Sequence, residues 1–444
     1  MSIKIKFYLL VLIGFVIVGL QSCKNDFDNL YQTNTVTIQL NYPDDFEVAE
    51  NVTITLINYN SNITYTEITN ANGIATFEIP YGIYNAAVSE LRTVSGTAYI
   101  FTGNTSLTVT ETDKNSDVTT INLSASKANN IIIKELYNGG CQKDDGSGTF
   151  YRGQYVILYN NSVVTTSLDN FCFGAAYPYN SQGSNYFYSN GSLSYETEGW
   201  IPAAQGIWYF PEGISLEPGE QIVVALNCAI NNTLTYSQSI NFANANYCTL
   251  YDIDVYSNES HYPAPSSLIP TSHYLSAVKY GIGNAWSCSY TSPAFYIFAT
   301  QEVTPAEFAT NVENYGNYGG SATQVYAKVP IDWVIDGIEV FKQGDDNQQR
   351  LTSAIDAGYV YLNNKNGYTL YRNVNQEATE ALAENAGKLI YNYSGGTTDL
   401  VDGSTDPSGI DAEASIANGA RIIYSDTNSS TNDFHQRKKA SLRD

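Results

Sequence analysis

The stretch from Ile131 to Tyr137 reads IIIKELY, and its apolar residues fall on both alternate sets of positions. Because successive side chains of a β-strand point to opposite faces, such a run predicts a strand buried on both sides, in the middle of a sheet. Later segments also have the length and apolar content of strands, and they predict a large β domain over residues 131–444: QYVILYN (154–160), SLDNFCF (167–173), QIVVALN (221–227) and DWVIDGIEVF (332–341).

A smaller β module precedes this domain. Segments 36–40 (VTIQL) and 52–56 (VTITL) alternate apolar and polar residues, the pattern of half-buried strands. Asn72-Gly73 supplies the positive φ of a tight hairpin turn, and the strand after it ends at Pro80. Residues 124–130 (SASKANN) are small and polar and predict a linker. We therefore expect an all-β chain, with a small β-sandwich over 36–125, a larger β domain over 131–444 and a few short helices.

Two family resemblances refine this expectation. Residues 72–84 (NGIATFEIPYGIY) resemble the prealbumin-like sandwich of carboxypeptidase regulatory domains. Blocks of the second domain occur in the order of the lamin-tail domain, an Ig-like sandwich; the residues that match its pattern are Tyr155, Leu158, Tyr159, Asn160, Leu168, Asp169, Leu216, Pro218, Gly219, Asp336, Ser441 and Arg443. Such a sandwich needs roughly a hundred residues, so the resemblance implies long insertions between its strands.

The N-terminus has the plan of a secretory signal. Lys4 and Lys6 precede an apolar run over residues 7–20, which is shorter than the about 20 apolar residues that span a bilayer. The run ends in LQSC (20–23), which resembles a bacterial lipobox. The resemblance implies a signal peptide over 1–22, a lipidated Cys23 carrying palmitate-like acyl chains, and an anchored tether over 23–35. The alternative is an ordinary signal peptide cleaved near a cysteine.

The acidic residues Asp26 and Asp28 directly after Cys23 resemble the surface-export signal of Bacteroidota lipoproteins. Lipobox, prealbumin-like module and expanded lamin-tail-like domain together resemble an uncharacterised Bacteroidota family of surface lipoproteins of this length. That family is a domain of unknown function without known catalytic residues. The resemblance implies that the protein is lipid-anchored in the outer membrane and that its folded part faces the cell surface.

Charge restricts the partners. The net charge is −23, and removal of Lys4 and Lys6 with the signal peptide makes it −25. An acidic surface repels phosphate backbones, so we expect no nucleic-acid partner.

Aromatic residues are concentrated in two predicted insertions, 174–200 and 228–286. Rings among Asn, Ser and Gly are typical of surfaces that bind neutral sugars or peptides. The candidate ligand-binding residues are Tyr177, Tyr179, Tyr186, Tyr188, Tyr195 and Trp200. The alternative is that both insertions fold back and bury these rings against the sandwich.

Cysteines and acidic turns give no strong site. Besides Cys23 the chain has Cys141, Cys172, Cys228, Cys248 and Cys288, without a C-x-x-C pair, so zinc and thiol-redox sites are disfavoured. Cys288 is expected to be an unpaired buried residue. For the other four cysteines the sequence leaves two alternatives: two disulfides, or four free thiols. Asp144 and Asp145, in an acidic turn, are weak candidates for calcium ligands. Acidic turns of this kind are more often simply solvated. No cofactor is expected.

Catalytic motifs are absent from the sequence. It contains three histidines and neither a G-x-S-x-G elbow, an H-E-x-x-H helix nor a phosphate-binding loop. The favoured function is a non-catalytic binding or accessory module for a glycan or peptide beside an outer-membrane importer. One alternative is a structural or adhesive subunit that binds other envelope proteins. Another is a hydrolase with a carboxylate pair that the sequence does not reveal.

Overall fold

A computed structural model describes residues 33–94, 97–110, 118–127, 131–162, 164–189 and 191–443. The predicted signal peptide, Cys23 and nearly all of the predicted tether lie outside these residues. The described residues form two compact units: unit 1 comprises those up to residue 90 and those of 103–123, and unit 2 comprises those of 91–102 and those from 124 onwards. The described residues form many strands and a few short helices, so the predicted all-β class is confirmed.

Between residues 33 and 127, the described residues form eight strands in two sheets. The strands are β1 (Thr33–Asn41), β2 (Thr53–Asn58), β3 (Thr64–Ile68), β4 (Ile74–Pro80), β5 (Gly82–Val94), β6 (Thr97–Val109), β7 (Val118–Asn122) and β8 (Ser124–Lys127). The sheet orders are β4-β1-β7 and β3-β2-β5-β6-β8. In β1 the side chains of Val36, Ile38 and Leu40 are buried and their neighbours are not, so the predicted alternation is correct.

Two local predictions in this region are wrong. Gly73 has the positive φ expected of the turn, but β4 pairs antiparallel with β1 instead of with the preceding strand β3. The turn therefore connects two sheets and closes no hairpin. The start of the predicted linker is also ordered, because Ser124–Lys127 form β8, which pairs antiparallel with residues 99–102 of β6.

Unit 2 is built on a sheet of twelve strands in the order β27-β26-β23-β14-β18-β22-β21-β20-β12-β9-β28-β29. Smaller sheets are β10-β11, β13-β19, β15-β16 and β17-β25-β24. The strand bounds are β9 (Ile131–Tyr137), β10 (Cys141–Gln142), β11 (Thr149–Phe150), β12 (Tyr155–Asn160), β13 (Thr166–Ser167), β14 (Phe171–Ala175), β15 (Tyr188–Ser189), β16 (Ser192–Leu193), β17 (Trp200–Ala204), β18 (Gly206–Tyr209), β19 (Ser215–Leu216), β20 (Gln221–Ala225), β21 (Cys248–Leu250), β22 (Tyr274–Lys279), β23 (Ala294–Ala299), β24 (Tyr315–Asn317), β25 (Val325–Pro330), β26 (Val334–Phe341), β27 (Val360–Tyr361), β28 (Thr369–Arg372) and β29 (Phe434–Arg437).

Helices are short. The α-helices are α1 (Ser194–Glu198), α2 (Pro305–Thr310), α3 (Gln376–Glu380), α4 (Ala412–Ala417) and α5 (Ser430–Asp433). The 3₁₀ turns are Asn232–Leu234, Thr271–His273, Val312–Asn314, Tyr318–Gly320, Ile331–Trp333 and Ala383–Asn385. Helix α2 begins as expected, with a capping box between Thr304 and Glu307. None of the helices in the described segments has the length and apolar character needed to span a bilayer.

The predicted central strand is confirmed. All seven residues of β9 are buried, and the strand lies between β12 and β28. Ile131 and Ile133 belong to the largest apolar core, whereas Ile132 and Tyr137 belong to two other buried clusters. The strand is therefore covered on both faces, as a run without polar alternation requires.

Two charged residues interrupt this buried strand, and each has partners from distant parts of the chain. The Lys134 ammonium lies 2.7 Å from a carboxylate oxygen of Glu413 and donates a hydrogen bond of 2.7 Å to Gln221. The Glu135 carboxylate accepts hydrogen bonds from the Tyr155 hydroxyl (2.8 Å) and the Ser441 backbone N–H (3.0 Å). Because an uncompensated buried charge is costly, these contacts tie the C-terminal residues to the central strand.

The five cysteines among the described residues are free and buried. Of the alternatives left open by the sequence, this is the arrangement with free thiols. Burial raises the pKa of Cys228 to about 11 and the pKa of Cys288 to about 12. These thiols therefore stay protonated at neutral pH and behave as small apolar core residues.

A substitution of Arg350 tests how much a buried ion pair contributes to the stability of unit 2. Its Nε donates to Glu339 Oε1 (2.9 Å), both side chains are fully buried, and its Nη1 donates to the carbonyls of Pro178 and Ser292. We expect Arg350→Met to lower the free energy of unfolding by about 3–5 kcal/mol, because it leaves the Glu339 carboxylate buried without its cation. Urea denaturation followed by tryptophan fluorescence measures this in unit 2, which holds all four tryptophans.

The control for this experiment is Lys438→Met, which removes a solvent-exposed ion pair with Asp399. Exposed pairs contribute little, so this variant is expected to unfold with wild-type stability. Equal stability of Arg350→Met and Lys438→Met would contradict the assigned role of the buried pair.

His435 gives unit 2 a defined pH dependence. Its ring is buried and contacts Asn373 Oδ1 and the Tyr393 hydroxyl, and burial, with a smaller contribution from Arg437, lowers its pKa to about 3. An unfolded histidine has a pKa of about 6.5, so the unfolded state binds more protons between those values and stability falls as the pH drops. Relative to His435→Gln, the wild type should lose about 2 kcal/mol between pH 7 and pH 5. A wild-type-to-variant difference that is constant over this range, in the same fluorescence assay, would refute the assignment.

Candidate functional site

The first predicted insertion, residues 174–200, is anchored to the buried side of unit 2. Arg350 donates to the Pro178 carbonyl (3.0 Å), and the Tyr195 hydroxyl donates to the Arg350 carbonyl. These two hydrogen bonds show that the insertion packs onto the body of unit 2.

Several of its rings form an aromatic core beneath the surface. Tyr177 stacks on Tyr318 with ring centroids 4.4 Å apart, and Phe187 contacts Tyr195 and Tyr318 at 5.2 and 5.3 Å. Tyr177 is 6% exposed and Tyr195 is completely buried. The prediction that these two rings belong to a ligand surface is therefore wrong, because they fill the apolar cluster that holds the insertion in place.

Tyr179 is neither fully buried nor exposed. Its side chain is half-buried, and its hydroxyl donates to the Cys288 carbonyl at 3.2 Å. Burial raises the pKa of this phenol, with smaller contributions from Cys288 and Tyr290. Tyr179 thus fastens the insertion to the segment around Cys288 and offers little ring surface to a ligand.

Tyr186 and Tyr188 are the predicted residues that reach solvent, and we call this pair the aromatic platform. Tyr186 is 68% exposed and Tyr188 is 40% exposed, whereas Phe187 between them is buried. This alternation is that of an extended segment with one face on the core. The platform is the part of the predicted surface that is accessible to a ligand.

The Tyr186 ring is held in a fixed position. It meets the Tyr318 ring edge to face at 4.9 Å, and its backbone N–H points to the Tyr318 hydroxyl at 3.4 Å. It also lies against Gly319, which has φ +59°, and a Cβ at that glycine would meet the Tyr186 ring at 2.8 Å. The positive φ and the missing Cβ of Gly319 permit this approach, and the contacts with Tyr318 and Gly319 limit the positions that the exposed ring can take, which lowers the entropy it loses on binding.

Trp200 is half-buried, and most of its ring contacts are within the protein. It stacks on Tyr326 at 5.6 Å, Lys328 Nζ lies 5.1 Å from its centroid, and its Nε1–H donates to Glu198 at 2.8 Å. Trp200 also packs against Phe187, the residue between the two platform rings, with centroids 5.9 Å apart, so it supports the segment that carries the platform. Composition alone did not identify Tyr318, Gly319 or Lys328, which lie more than a hundred residues further along the chain.

The second predicted insertion, residues 228–286, supports the alternative that rings fold back. Tyr256, Tyr262 and Trp286 are buried in the largest core, and β21 and β22 are inner strands of the twelve-stranded sheet. The segment is therefore part of the fold, and its buried rings offer no ligand surface.

The weak calcium candidates do not converge. Asp144 accepts three hydrogen bonds of 2.9–3.0 Å from the backbone and hydroxyl of Ser237, and Asp145 accepts one from the Ser147 N–H. Hydrogen bonds to Ser147 lower the pKa of Asp145. Within the described residues no group of three or more His, Cys, Asp and Glu side chains is arranged to hold a metal ion.

Comparisons with known proteins agree on a family of unknown function. Residues 217–402 match the family described as Protein of unknown function (DUF4876). A crystal structure of a DUF4876 family protein from Bacteroides thetaiotaomicron is similar over 90% of this chain and 94% of that chain, with 21% identity and a TM-score of 0.52. At this identity the likeness concerns the fold alone. No curated protein sequence matches the chain.

Two weaker structural similarities support no inference because their TM-scores are below 0.2. A DUF3823 family protein from Parabacteroides merdae covers 40% of this chain and 91% of its own, at 10% identity and TM-score 0.16. The major pilin SpaD from Corynebacterium diphtheriae covers 73% of this chain and 71% of its own, at 9% identity and TM-score 0.17.

The match over residues 217–402 and the fold shared with a solved DUF4876 protein from Bacteroides thetaiotaomicron agree with the resemblance found in the sequence, which is to an uncharacterised Bacteroidota family of about this length.

Proposed function

We propose that this protein is a non-catalytic module that binds a neutral glycan through the aromatic platform. The observation that carries the proposal is Tyr186, a residue that is 68% exposed and whose ring is held against Tyr318 and Gly319. A rigid, solvent-facing ring is suited to stack on the apolar face of a sugar, because it gives up little entropy on binding. Tyr188 extends the same face.

The surroundings of the platform favour a carbohydrate over a polyanion. Lys328 lies over the Trp200 ring, and the whole chain carries a net charge of −23. A highly negative protein repels anionic ligands at long range. Neutral hydroxylated ligands meet no such barrier, and the Ser- and Asn-rich segment around Tyr186 offers them hydrogen-bonding groups.

We place this module on the outer membrane as a lipoprotein facing the cell surface. The support is the lipobox-like sequence ending at Cys23 and the acidic residues Asp26 and Asp28 that follow it. A polysaccharide captured at that surface needs a route into the cell, so an outer-membrane importer is the partner we propose.

Glycan binding is tested with the purified mature chain on an array of neutral plant and host oligosaccharides, followed by calorimetry with the strongest ligand. We expect Tyr186→Ala to weaken binding about tenfold, equivalent to ~1.4 kcal/mol, because it removes the stacking face. Tyr59→Ala is the matched control, since Tyr59 is also exposed (59%) but lies in unit 1. It is expected to bind like the wild type.

Three results of that experiment would contradict the proposal. The first is that the protein binds peptides but no glycan. The second is that an envelope protein co-purifies with the protein, which itself binds neither glycan nor peptide. The third is that new reducing ends are released from the bound oligosaccharide. The second favours a structural subunit, and the third a hydrolase.

Membrane anchoring is tested by substitution of Cys23. In cells, the wild type should fractionate with membranes, and mass spectrometry should find an acylated N-terminal peptide beginning at Cys23, because multiple acyl chains hold a protein at the bilayer. Cys23→Ser should appear unacylated in soluble fractions. The double variant Asp26→Ala/Asp28→Ala should stay acylated but become inaccessible to protease added to intact cells. Unacylated wild-type protein would refute the anchor.

A further inference from the structure

Arg372 of β28 is surrounded by three carboxylates inside unit 2, and we call these four residues the Arg372 cluster. The guanidinium donates through Nη2 to Asp336 and through Nη1 to Asp426 Oδ1 at 3.2 Å, and Asp433 Oδ2 lies 3.8 Å from Nη1. The Arg372 side chain is fully buried and the three carboxylates are nearly so. One positive and three negative charges would leave the cluster strongly negative, which a low-dielectric interior disfavours.

The other charged groups on the elements that pack around the cluster have partners of their own. They are Glu339 with Arg350, Asp356 with Ser430, His435 with Asn373 and Tyr393, and Arg437 over the Tyr371 ring. In the described parts of the chain, no group of three or more His, Cys, Asp and Glu side chains is arranged to hold a metal ion. The excess negative charge of the cluster is therefore neutralised by a proton.

Asp426 is the member of the cluster that holds this proton. Asp336 and Asp433 each accept hydrogen bonds from backbone N–H groups besides their contact with Arg372, whereas within the described segments Asp426 accepts from Arg372 alone. Donors stabilise the charged form, so the carboxylate with the fewest donors stays protonated. Burial raises the pKa of Asp426 to about 7, against the opposing effect of Arg372. Its side chain is 12% exposed, against 3% for each of the other two, so its proton can exchange with water.

Two of the three carboxylates lie on one segment, residues 425–433, and this segment fastens a neighbouring loop. The Asn428 carbonyl accepts from the Ala357 N–H at 2.6 Å. The Thr431 hydroxyl accepts from the Tyr359 N–H at 3.0 Å and donates to the Tyr359 carbonyl at 2.9 Å. The cluster thus holds the segment 425–433 against β26 and β28, and the segment in turn holds the loop 356–359.

We propose that the Arg372 cluster is a pH-sensitive switch: with Asp426 protonated it fastens the segment 425–433, and loss of that proton as the pH rises loosens this segment and the loop 356–359. The proton passes to water from the exposed edge of Asp426, and the O–H bond is the only covalent bond that breaks. The ionised carboxylate is then repelled by Asp336 and Asp433, the other two acidic groups that act on it. This switch is independent of glycan binding at the aromatic platform.

The stability test uses Asp426→Asn, which keeps the shape and an acceptor oxygen but cannot ionise. An unfolded aspartate has a pKa of about 3.9, so between that value and about 7 the folded state binds more protons and stability falls as the pH rises. From pH 5 to pH 7 the unfolding constant of the wild type should rise about fiftyfold relative to that of Asp426→Asn, in urea denaturation followed by tryptophan fluorescence. Asp254→Asn, at an exposed position of unit 2 outside the cluster, is the matched control and should parallel the wild type.

Hydrogen exchange measured by mass spectrometry locates the effect. At pH 8, peptides that cover 425–433 and 356–359 should exchange faster in the wild type than in Asp426→Asn, over a labelling time in which β9 stays protected in both. At pH 5.5 the two proteins should exchange alike. Comparison at one pH removes the intrinsic pH dependence of the exchange rate.

Two results would overturn the switch: a ratio of unfolding constants that does not change with pH, or equal exchange of these peptides at pH 8. If Asp426→Asn does not fold, the wild type alone decides. Its protection over 425–433, corrected for the intrinsic rate, must then fall between pH 5.5 and pH 8 while β9 stays protected, and constant protection would overturn the switch.

Discussion

Two buried charges in the central strand determine how unit 2 is assembled. Lys134 and Glu135 have no solvent contact, and the free-energy cost of an uncompensated ion in such a place is several kcal/mol. Glu413 and Gln221 compensate the first charge, and Tyr155 and Ser441 compensate the second. Residues from the middle and the end of the chain must therefore reach β9 before either charge is satisfied. Because both buried charges must be paired, one arrangement of the long connecting segments is favoured over other arrangements that would bury similar apolar area.

The sequence was most informative where one physical rule acts locally. Alternation in β1 and unbroken apolar character in β9 predicted which faces are buried, since both follow from the two-residue period of a strand. Pairing order was not predictable in this way. Strand β4 joins β1 instead of β3, and β21 pairs in parallel with both β20 and β22, because partners are chosen by contacts distant in sequence. The sequence also did not distinguish insertions from the scaffold, since the segment 228–286, predicted as an insertion, contributes inner strands of the large sheet.

The candidate site was predictable only in part, and for the same reason. The insertion 174–200 carries two exposed rings, Tyr186 and Tyr188, but the other four of its six candidate residues are buried or half-buried. Alternation around Phe187 is the local signal that separates Tyr186 and Tyr188 from the rest. The other components of the site have no local signal. Tyr318 and Gly319, which contact the Tyr186 ring, lie more than a hundred residues further along the chain, and only the packing of the folded chain brings them to it.

The 37 tyrosines of the chain have two different uses, and packing separates them. Several are core residues whose hydroxyls donate to backbone carbonyls: Tyr159 donates to Ile422, Tyr262 to Trp286 and Tyr280 to Ala309, at 2.6–3.0 Å. Tyrosine suits that role because its ring fills the core while its hydroxyl satisfies a carbonyl that a phenylalanine would leave unpaired. Tyrosine abundance is therefore a property of this loop-rich β fold and does not by itself indicate ligand binding. Tyr186 departs from the pattern because the core fixes its ring from one side and leaves the other side in water, which is the arrangement that recognition of a sugar face requires.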